Sequence, residues 1–211
     1  MAAPPLTWQT SLLDDDPGDG PRADPGFVAQ RRRLEHGAWI DHVPGWLEGS
    51  DVLLATCVEV LPWRQRDERI QGELVKQPRL TARLRLGELP PQLTILDDLG
   101  EVLSQRYRVR FRTVGANLYR DGRDSVAWHG DRVLRERLTA TVATVSLGDP
   151  RTFRLRPRDG GSSIGLLLGR GDLLVMGGTS QRTWKHAVPK VASSGARVSL
   201  AFRHADPPEH L

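Results

Sequence analysis

The 211-residue chain has a single cysteine, Cys57, and no long hydrophobic run. One cysteine cannot form an intrachain disulfide, and it excludes zinc sites and iron–sulfur clusters that need several cysteines. No stretch reaches the roughly 18 apolar residues of a transmembrane helix, and the first residues show no basic segment followed by an apolar one. These absences predict a reducing compartment, and we expect a cytoplasmic protein without a membrane segment.

Lysine is also scarce, because 27 of the 30 basic residues are arginine and only Lys76, Lys185 and Lys190 are lysine. The net charge is +4. Arginine presents a planar fork of donors that matches carboxylates and phosphates. The composition therefore suits a polyanionic partner without requiring one, and the length allows one large core with an appended segment.

The pattern along the chain predicts an irregular lead-in over residues 1–27, then helices, then a β-rich core. Apolar residues at helical spacing predict one helix that Ser50 caps and Pro62 ends, and a second over 92–105. From residue 107 the apolar period changes to two, in short runs at 107–114, 116–120, 139–147, 151–157, 164–168, 172–177 and 197–203. Short antiparallel strands at this density predict a sandwich, jelly roll or barrel with helices covering one outer face.

Three residues form a candidate metal site. His129 and Asp131 are two residues apart, so in an extended segment both side chains project from one face and can bind one ion. His186 follows an apolar strand and a Gly-Gly turn and is a candidate third ligand. Two imidazoles and one carboxylate leave positions open, as non-haem Fe(II) oxygenases need for a co-substrate and dioxygen. Taken alone, the His129–Asp131 pair is more commonly a surface histidine beside an aspartate.

The last predicted strand carries Arg197 and Arg203, six residues apart and therefore on one face. The opposite face is apolar, with Val198, Leu200 and Phe202. Two inward guanidinium groups need an anion, and a dicarboxylate such as 2-oxoglutarate would neutralise them while its keto acid end chelates iron. On this strand alone, two surface arginines on an edge strand are an equal alternative.

Together these motifs resemble the AlkB family of Fe(II)/2-oxoglutarate-dependent dioxygenases over roughly residues 107–203. The matching elements, all in family order, are N-x-Y (Asn117, Tyr119), H-x-D (His129, Asp131), His186, and R-x-x-x-x-x-R (Arg197, Arg203). Upstream, the sequence GAWIDHVPGW, the PW at 62–63 and the QPRL at 77–80 also look like AlkB-like proteins.

The resemblance implies an α+β, mainly β fold, in which a double-stranded β-helix (jelly roll) follows N-terminal helices and a substrate lid. It implies one dioxygenase domain over residues 28–211, with the lid at about 62–90 and the catalytic core at 107–203. It also implies that Fe(II) is held by His129, Asp131 and His186. The implied 2-oxoglutarate site consists of Asn117, Tyr119, Arg197, Ser199 and Arg203.

The activity implied by the resemblance is decarboxylation of 2-oxoglutarate to succinate, coupled through dioxygen to hydroxylation of an N-methyl group that then leaves as formaldehyde. The usual substrates are bases methylated on the Watson–Crick edge, so we expect alkylated DNA, single-stranded or with a flipped base. We also expect a monomer. The alternatives are the same chemistry on RNA, protein or a small molecule, and a jelly-roll binding module without chemistry.

Two positions depart from the family pattern. Ser199 stands where many members carry asparagine between the two arginines of the last strand. Val133 stands where repair members commonly place an acidic residue, two positions beyond the metal-binding aspartate. A serine hydroxyl makes fewer hydrogen bonds than an amide, but we expect 2-oxoglutarate binding to survive this change. The valine at position 133 has no polar atom to reach a base, so base identity and lesion preference are left open.

Basic and aromatic residues supply candidate nucleic-acid contacts. The basic residues near the HxD motif are Arg120, Arg123, Arg132, Arg135 and Arg137, and those before the core are Lys76, Arg79, Arg83 and Arg85. For any one of them a solvated surface residue is the simpler interpretation. Trp63 and Trp128 are candidates for stacking on a base, with core packing as the alternative.

A hydrolase is the competing enzyme class, because Gly161, Ser163 and Gly165 match the G-x-S-x-G of a nucleophile elbow. That motif requires a strand before the serine and a helix after it. The residues that follow Ser163 are strand-like and those that precede it are typical of a hairpin tip. We therefore expect no hydrolase site here.

Overall fold

The computed structural model describes residues 20–70, 73–130 and 138–204. The helices are α1 (Ser50–Val60), α2 (Ile95–Tyr107) and the single turn α3 (Ser180–Thr183), with 3-10 turns at Glu35–Gly37 and Pro91–Leu93. The strands are β1 (Arg22–Ala23), β2 (Gln30–Arg33), β3 (Ala38–Val43), β4 (Leu47–Glu48), β5 (Asp67–Ile70), β6 (Glu73–Lys76), β7 (Leu80–Arg85), β8 (Thr113–Tyr119), β9 (Val126–His129), β10 (Val142–Gly148), β11 (Arg151–Pro157), β12 (Ile164–Leu168), β13 (Leu173–Gly178), β14 (Trp184–Val188) and β15 (Arg197–Arg203).

The strands form two main antiparallel sheets. The larger has the order β2-β3-β13-β10-β15-β8-β7, and the smaller has the order β12-β11-β14-β9. From β8 to β15 the chain crosses repeatedly from one sheet to the other. Strands β8, β10, β13 and β15 lie in the larger sheet, and β9, β11, β12 and β14 lie in the smaller. This arrangement is a double-stranded β-helix, and the predicted α+β, mainly β jelly roll is confirmed.

The outer face of the larger sheet is covered by α1 and α2. Alternate residues of β10 serve two different cores: Val145 joins the helix-side core with Leu54 and Leu99, whereas Val142 joins the core between the sheets. Because both faces of the sheet are covered, every residue of β10 is buried. Burial of each such aliphatic side chain contributes about 1.5–3 kcal/mol, so this double coverage holds the sheet in place.

Both predicted helices are present, with corrections at their ends: α2 spans Ile95–Tyr107 where 92–105 was predicted, and the cap of α1 differs. Gly49, not Ser50, precedes the first turn of α1; its backbone is left-handed at φ 62°, and the Ser50 side chain makes no capping hydrogen bond. Glycine adopts that backbone at little steric cost, so the helix begins at Ser50, one residue earlier than a Ser50 cap would place it. The chain leaves the helix at Leu61, whose N–H donates to the Cys57 carbonyl just before Pro62.

The predicted strand over 107–114 is wrong. Tyr107 is the last residue of α2, Arg108 is left-handed at φ 55°, and β8 begins only at Thr113. The Tyr107 ring stacks on Trp39 with centroids 6.0 Å apart, a contact from β3 that favours the helical end. The strands before residue 107 were not predicted, although β3 and β7 extend the larger sheet.

Five residues that the sequence marks as candidates are not among those that the structure describes. Asp131, Arg132, Val133, Arg135 and Arg137 lie outside the described residues. In the described part of the 1–27 lead-in, β1 pairs with β4, and Phe27 is buried in the helix-side core. Within residues 20–70, 73–130 and 138–204, no helix combines the length and apolarity needed to span a membrane.

Candidate active site

A cavity of about 220 Å³ lies between the two sheets of the jelly roll. Its walls come from both sheets and from the segment just before β7. Residues from the predicted metal and 2-oxoglutarate sites that line it are Asn117, Tyr119, His129, His186, Ser199 and Arg203. The fold thus brings six of the eight predicted site residues around one space, although they are spread over 87 positions of the chain.

His129 and His186 occupy directly opposite positions on β9 and β14. Their ring centroids are 4.2 Å apart with an angle of 59° between the planes. The Nδ1 of His129 lies 2.9 Å from the Ala127 carbonyl oxygen, which accepts a hydrogen bond only if Nδ1 carries the proton. That tautomer leaves Nε2 with a lone pair, the form in which a histidine binds a metal.

The second histidine is oriented by an aromatic neighbour. The Phe153 ring stacks on His186 with centroids 5.3 Å apart and planes 17° from parallel. Phe153 belongs to the core between the sheets and also lines the cavity. This packing limits rotation of the imidazole, so a ligand would meet a ring that is already positioned.

The predicted third ligand, Asp131, lies outside the described residues. Within the described ranges no three histidine, cysteine, aspartate or glutamate side chains cluster as a metal site. The residue between the motif positions, Gly130, is closely packed: a Cβ there would lie 3.0 Å from Arg158 Nη2 and 3.1 Å from the Gln181 carbonyl oxygen. The centre of the HxD motif therefore accepts only a small residue.

Arg197 is the deepest charged group near the cavity, and its side chain is 1% exposed. Its Nη2 donates to Ser146 Oγ at 2.9 Å, and its guanidinium carbon lies 5.1 Å from the Tyr119 ring centroid. Among the described residues, Nε and Nη1 have no hydrogen-bond acceptor. Burial lowers the pKa of this guanidinium, an effect that the nearby Tyr119 opposes. Two buried N–H donors without acceptors fit a carboxylate ligand.

Arg203 stands at the other end of β15 and lines the cavity. Its Nη1 donates to the Ala201 carbonyl oxygen at 3.2 Å. Gly115 on the neighbouring strand leaves room for this side chain, since a Cβ there would lie 2.5 Å from Nη1. The alternative of two surface arginines on an edge strand is wrong, because β15 lies between β10 and β8.

Arg79, a candidate phosphate contact by its sequence position, lies at the cavity, which was not predicted. Arg79 precedes β7 and lines the cavity, and its Nε donates to Asn117 Oδ1 at 3.1 Å. The pairing of β7 with β8, which sets Thr81 opposite Asn117, brings the two together. No local pattern marks this contact, because Arg79 and Asn117 are 38 positions apart and meet only through the pairing of two strands.

Two other predicted phosphate contacts are held in ion pairs. Arg120 makes a two-point contact with Asp124, with Nε–Oδ2 at 2.8 Å and Nη2–Oδ1 at 2.9 Å. Arg123 pairs with Asp121 at 2.7 Å, and that hydrogen bond lowers the pKa of the Asp121 carboxyl. Neutralised in this way, both arginines are weaker candidates for binding phosphate than the sequence indicated.

The two candidate stacking residues have different environments. Trp63 packs against the helix-side core, and its Nε1 donates to the Cys57 carbonyl oxygen at 3.1 Å, so for this residue core packing is confirmed. Trp128 is half-buried, with the Arg156 guanidinium carbon 4.3 Å from its ring centroid. The hydrolase motif is followed by the strand β12, as predicted, and not by a helix.

The sequence match identifies the class of protein that this fold and cavity define. The 2OG-Fe(II) oxygenase superfamily matches residues 54–203, which is most of the chain, and the protein belongs to that superfamily. Membership implies Fe(II), 2-oxoglutarate and dioxygen as cofactor and co-substrates.

Within the superfamily the chain is AlkB-like. It is 32% identical over 186 residues to an alpha-ketoglutarate-dependent dioxygenase, alkB homolog 3, of Mus musculus, covering 78% of this chain and 65% of that protein. It is 34% identical over 182 residues to the DNA oxidative demethylase ALKBH2 of Arabidopsis thaliana, covering 68% and 58%. The chain thus spans less than two thirds of the length of these relatives. The predicted AlkB-like family is confirmed.

A solved structure agrees on the fold. A prolyl hydroxylase of Trichoplax adhaerens, in complex with a hypoxia inducible factor peptide fragment, superposes with a TM-score of 0.56. The alignment covers 78% of this chain and 83% of that chain, at 12% identity. At this identity the likeness concerns the jelly roll and not the substrate.

Proposed function

We propose that this protein is an Fe(II)/2-oxoglutarate-dependent dioxygenase that removes N-alkyl groups oxidatively from alkylated bases in DNA. The observation that carries the proposal is the cavity between the sheets, where two histidines face each other beside the predicted 2-oxoglutarate residues. The arrangement provides nitrogen ligands for iron and cationic donors for a dicarboxylate around one space. The name of the Arabidopsis thaliana relative supports DNA as the substrate.

The metal site would combine three side chains with one backbone carbonyl. His129 and His186, together with Asp131, would hold Fe(II), and the Ala127 carbonyl would keep His129 in the metal-binding tautomer. Bound iron would supply the redox chemistry that couples decarboxylation of 2-oxoglutarate to hydroxylation of the alkyl carbon. One oxygen atom of O2 ends in succinate and the other in the hydroxymethyl group, which leaves the base nitrogen as formaldehyde.

The 2-oxoglutarate site would contain Asn117, Tyr119, Arg197, Ser199 and Arg203. Arg197 and Arg203 lie at opposite ends of the inward face of β15, so they can serve the two carboxylates of one ligand. Arg79 would hold the Asn117 amide in place through their hydrogen bond. Ser199, which faces the same cavity from β15, would contribute a single hydroxyl where many family members have an amide.

The finer features of the protein are proposed on the same basis. The alkylated base would enter from a single strand or flip out of a duplex, because a stacked base cannot reach a cavity inside a jelly roll. We propose one catalytic domain over residues 28–211 with a lid at about 62–90, a monomeric state and a cytoplasmic location. The hairpin strands β5 and β6 fall within that lid segment.

A single reaction tests the proposed function. The protein, loaded with Fe(II) without oxygen, is aerated with 2-oxoglutarate and single-stranded oligonucleotides that carry 1-methyladenine or 3-methylcytosine. Demethylated product and succinate in equal amounts, measured by mass spectrometry, are expected. The control variant His186→Ala should give neither product, because it removes a proposed iron ligand.

The other outcomes of this reaction decide between the alternatives. Succinate without demethylated DNA would overturn the DNA assignment and move the search to RNA, protein or a small molecule. Neither product from protein with iron bound would overturn the enzymatic proposal in favour of a binding module.

A further inference from the structure

The outer face of the four-stranded sheet carries cations and no acid. Along β11, Phe153 and Leu155 point into the core between the sheets, so Arg154 and Arg156 point outward. Lys185 on β14 lies directly opposite Arg156. The four strands β9, β11, β12 and β14 contain no aspartate or glutamate. We refer to Arg154, Arg156, Lys185 and Trp128 as the basic sheet face.

The cations of this face lie close together on neighbouring strands, because Lys185 and Arg156 are paired positions. In the part of the chain that the structure describes, Arg154, Arg156 and Lys185 form no ion pair; Arg154 Nη2 donates instead to Ser163 Oγ at 2.9 Å. Like charges opposite each other on paired strands are unfavourable. The Arg156–Lys185 pair therefore carries a cost that an anionic ligand on this face would remove.

The basic sheet face is continuous with the cavity across one strand. Trp128 and His129 are neighbours on β9, and Lys185 and His186 are neighbours on β14. On each strand the histidine lines the cavity, so the residue before it lies on the outer face. Among the described residues, β9 is one of the two edge strands of its sheet. Neighbouring strands lie about 5 Å apart, so a chain that passes over β9 reaches the strand of Lys185 after one such step and the strand of Arg156 after two.

We propose that the basic sheet face binds the phosphodiester backbone of the nucleic-acid strand whose alkylated base enters the cavity. The proposal rests on the proposed function. Arg156, held over the Trp128 ring, and Lys185 bind one stretch of backbone, and Arg154 binds the next phosphate along β11. Such contacts fix the strand without reading its sequence, so the face acts on any strand that carries the lesion.

Salt-dependent binding of an unmodified single-stranded DNA oligonucleotide tests the proposal. The triple variant Arg154→Gln, Arg156→Gln, Lys185→Gln should bind about tenfold more weakly at low salt, because three phosphate contacts are lost. Its plot of log affinity against log salt concentration should be shallower by about 2, since each phosphate contact on a single strand contributes about 0.7 to the slope. Fluorescence anisotropy of a labelled oligonucleotide measures both.

The matched control is the triple variant Arg106→Gln, Arg108→Gln, Arg110→Gln, which removes the same charge from exposed positions at the end of α2. It should bind like the parental protein. Titration with Fe(II) and 2-oxoglutarate, followed by absorption, should give the same affinity for both triples and thereby show that the cavity is intact.

The outcomes separate this proposal from the proposed function. Equal weakening in the two triples, or no binding by the parental protein, would overturn the basic sheet face. If the parental protein bound DNA through this face but did not demethylate it, the proposed demethylase function would be wrong, whereas DNA binding by the basic sheet face would be confirmed. If the parental protein demethylated DNA and the variant Arg154→Gln, Arg156→Gln, Lys185→Gln bound DNA normally, the proposed function would be confirmed and the DNA-binding role of the basic sheet face would be wrong.

Discussion

Arg79 Nε donates a hydrogen bond to Asn117 Oδ1 at 3.1 Å, and both residues line the cavity between the sheets. The contact joins the segment before β7 to one of the residues that the AlkB resemblance places at 2-oxoglutarate. Because Oδ1 accepts this bond, the amide of Asn117 is held in one of its two orientations. The contact makes Arg79 a positioning residue in the proposed site.

The first prediction concerns this pair. Arg79→Met should weaken 2-oxoglutarate binding about fivefold, because loss of one hydrogen bond costs about 1 kcal/mol. The effect of Arg79→Met should be much smaller in an Asn117→Ala background, since the arginine then has no amide to orient. Titration of the Fe(II) protein with 2-oxoglutarate measures all four affinities. Additive effects would show that Arg79 acts independently of Asn117.

The second prediction concerns metal binding. His129→Ala and His186→Ala should each weaken binding of Mn(II), used as a probe for Fe(II), by at least about 100-fold, because each removes a ligand and not only an outer contact. Asp131→Ala should do the same and abolish turnover. Isothermal titration calorimetry measures the affinity. His36→Ala is the control, since His36 is exposed and pairs with Asp159 at 3.7 Å. Unchanged Mn(II) affinity in either histidine variant would remove that residue from the site.

The third prediction concerns the buried guanidinium of Arg197. At 100 times its dissociation constant, 2-oxoglutarate should stabilise the metal-loaded protein by about 2.7 kcal/mol. That corresponds to a rise in Tm of about 5–10 °C for a chain of this size. In Arg197→Met the rise should disappear and the KM for 2-oxoglutarate should increase, because the buried N–H donors are gone. The control is Arg22→Met, which breaks a surface ion pair with Glu48. A normal Tm rise in Arg197→Met would leave Arg197 a structural role only.

The fourth prediction concerns pH. Burial raises the pKa of the Cys57 thiol to about 12, above an unfolded value of about 8.5. The folded state thus favours the protonated thiol, and this contribution to stability is present below the unfolded pKa and lost as pH rises toward the folded one. Between pH 8 and pH 10 the parental protein should lose about 2 kcal/mol more of its unfolding free energy than Cys57→Ala does. Urea unfolding measures both, and parallel pH profiles would contradict the prediction.

The fifth prediction concerns packing of the larger sheet. A Cβ on Gly177 in β13 would lie 1.9 Å from the Trp39 ring, which is stacked on Tyr107 and contacted by the Arg31 guanidinium. Gly177→Ala should therefore destabilise the protein by about 1–3 kcal/mol or more. In Gly165→Ala the new Cβ would lie 3.6 Å from Thr152 Cγ2, an ordinary contact, so this variant should be near neutral. Equal Tm values for the two variants would contradict the crowding at Trp39.

The local spacing of residues predicted much of the fold and of the site. Strands 151–157, 164–168 and 197–203 have the predicted bounds, because alternate residues of an extended chain take opposite faces whatever surrounds them. The same rule placed Arg197 and Arg203 inward and Phe202 toward the helices. It failed at 107–114, where Tyr107 is the last residue of α2 and packs on Trp39 of β3.

By itself, then, the sequence determined the elements of the core, the inward faces of its strands and the family to which the chain belongs. Only the tertiary structure decided which distant residues meet: His129 with His186, Arg79 with Asn117, and Lys185 with Arg156. The physical reason is that side-chain direction follows from local backbone geometry, whereas strand register is set by the packing of the whole core.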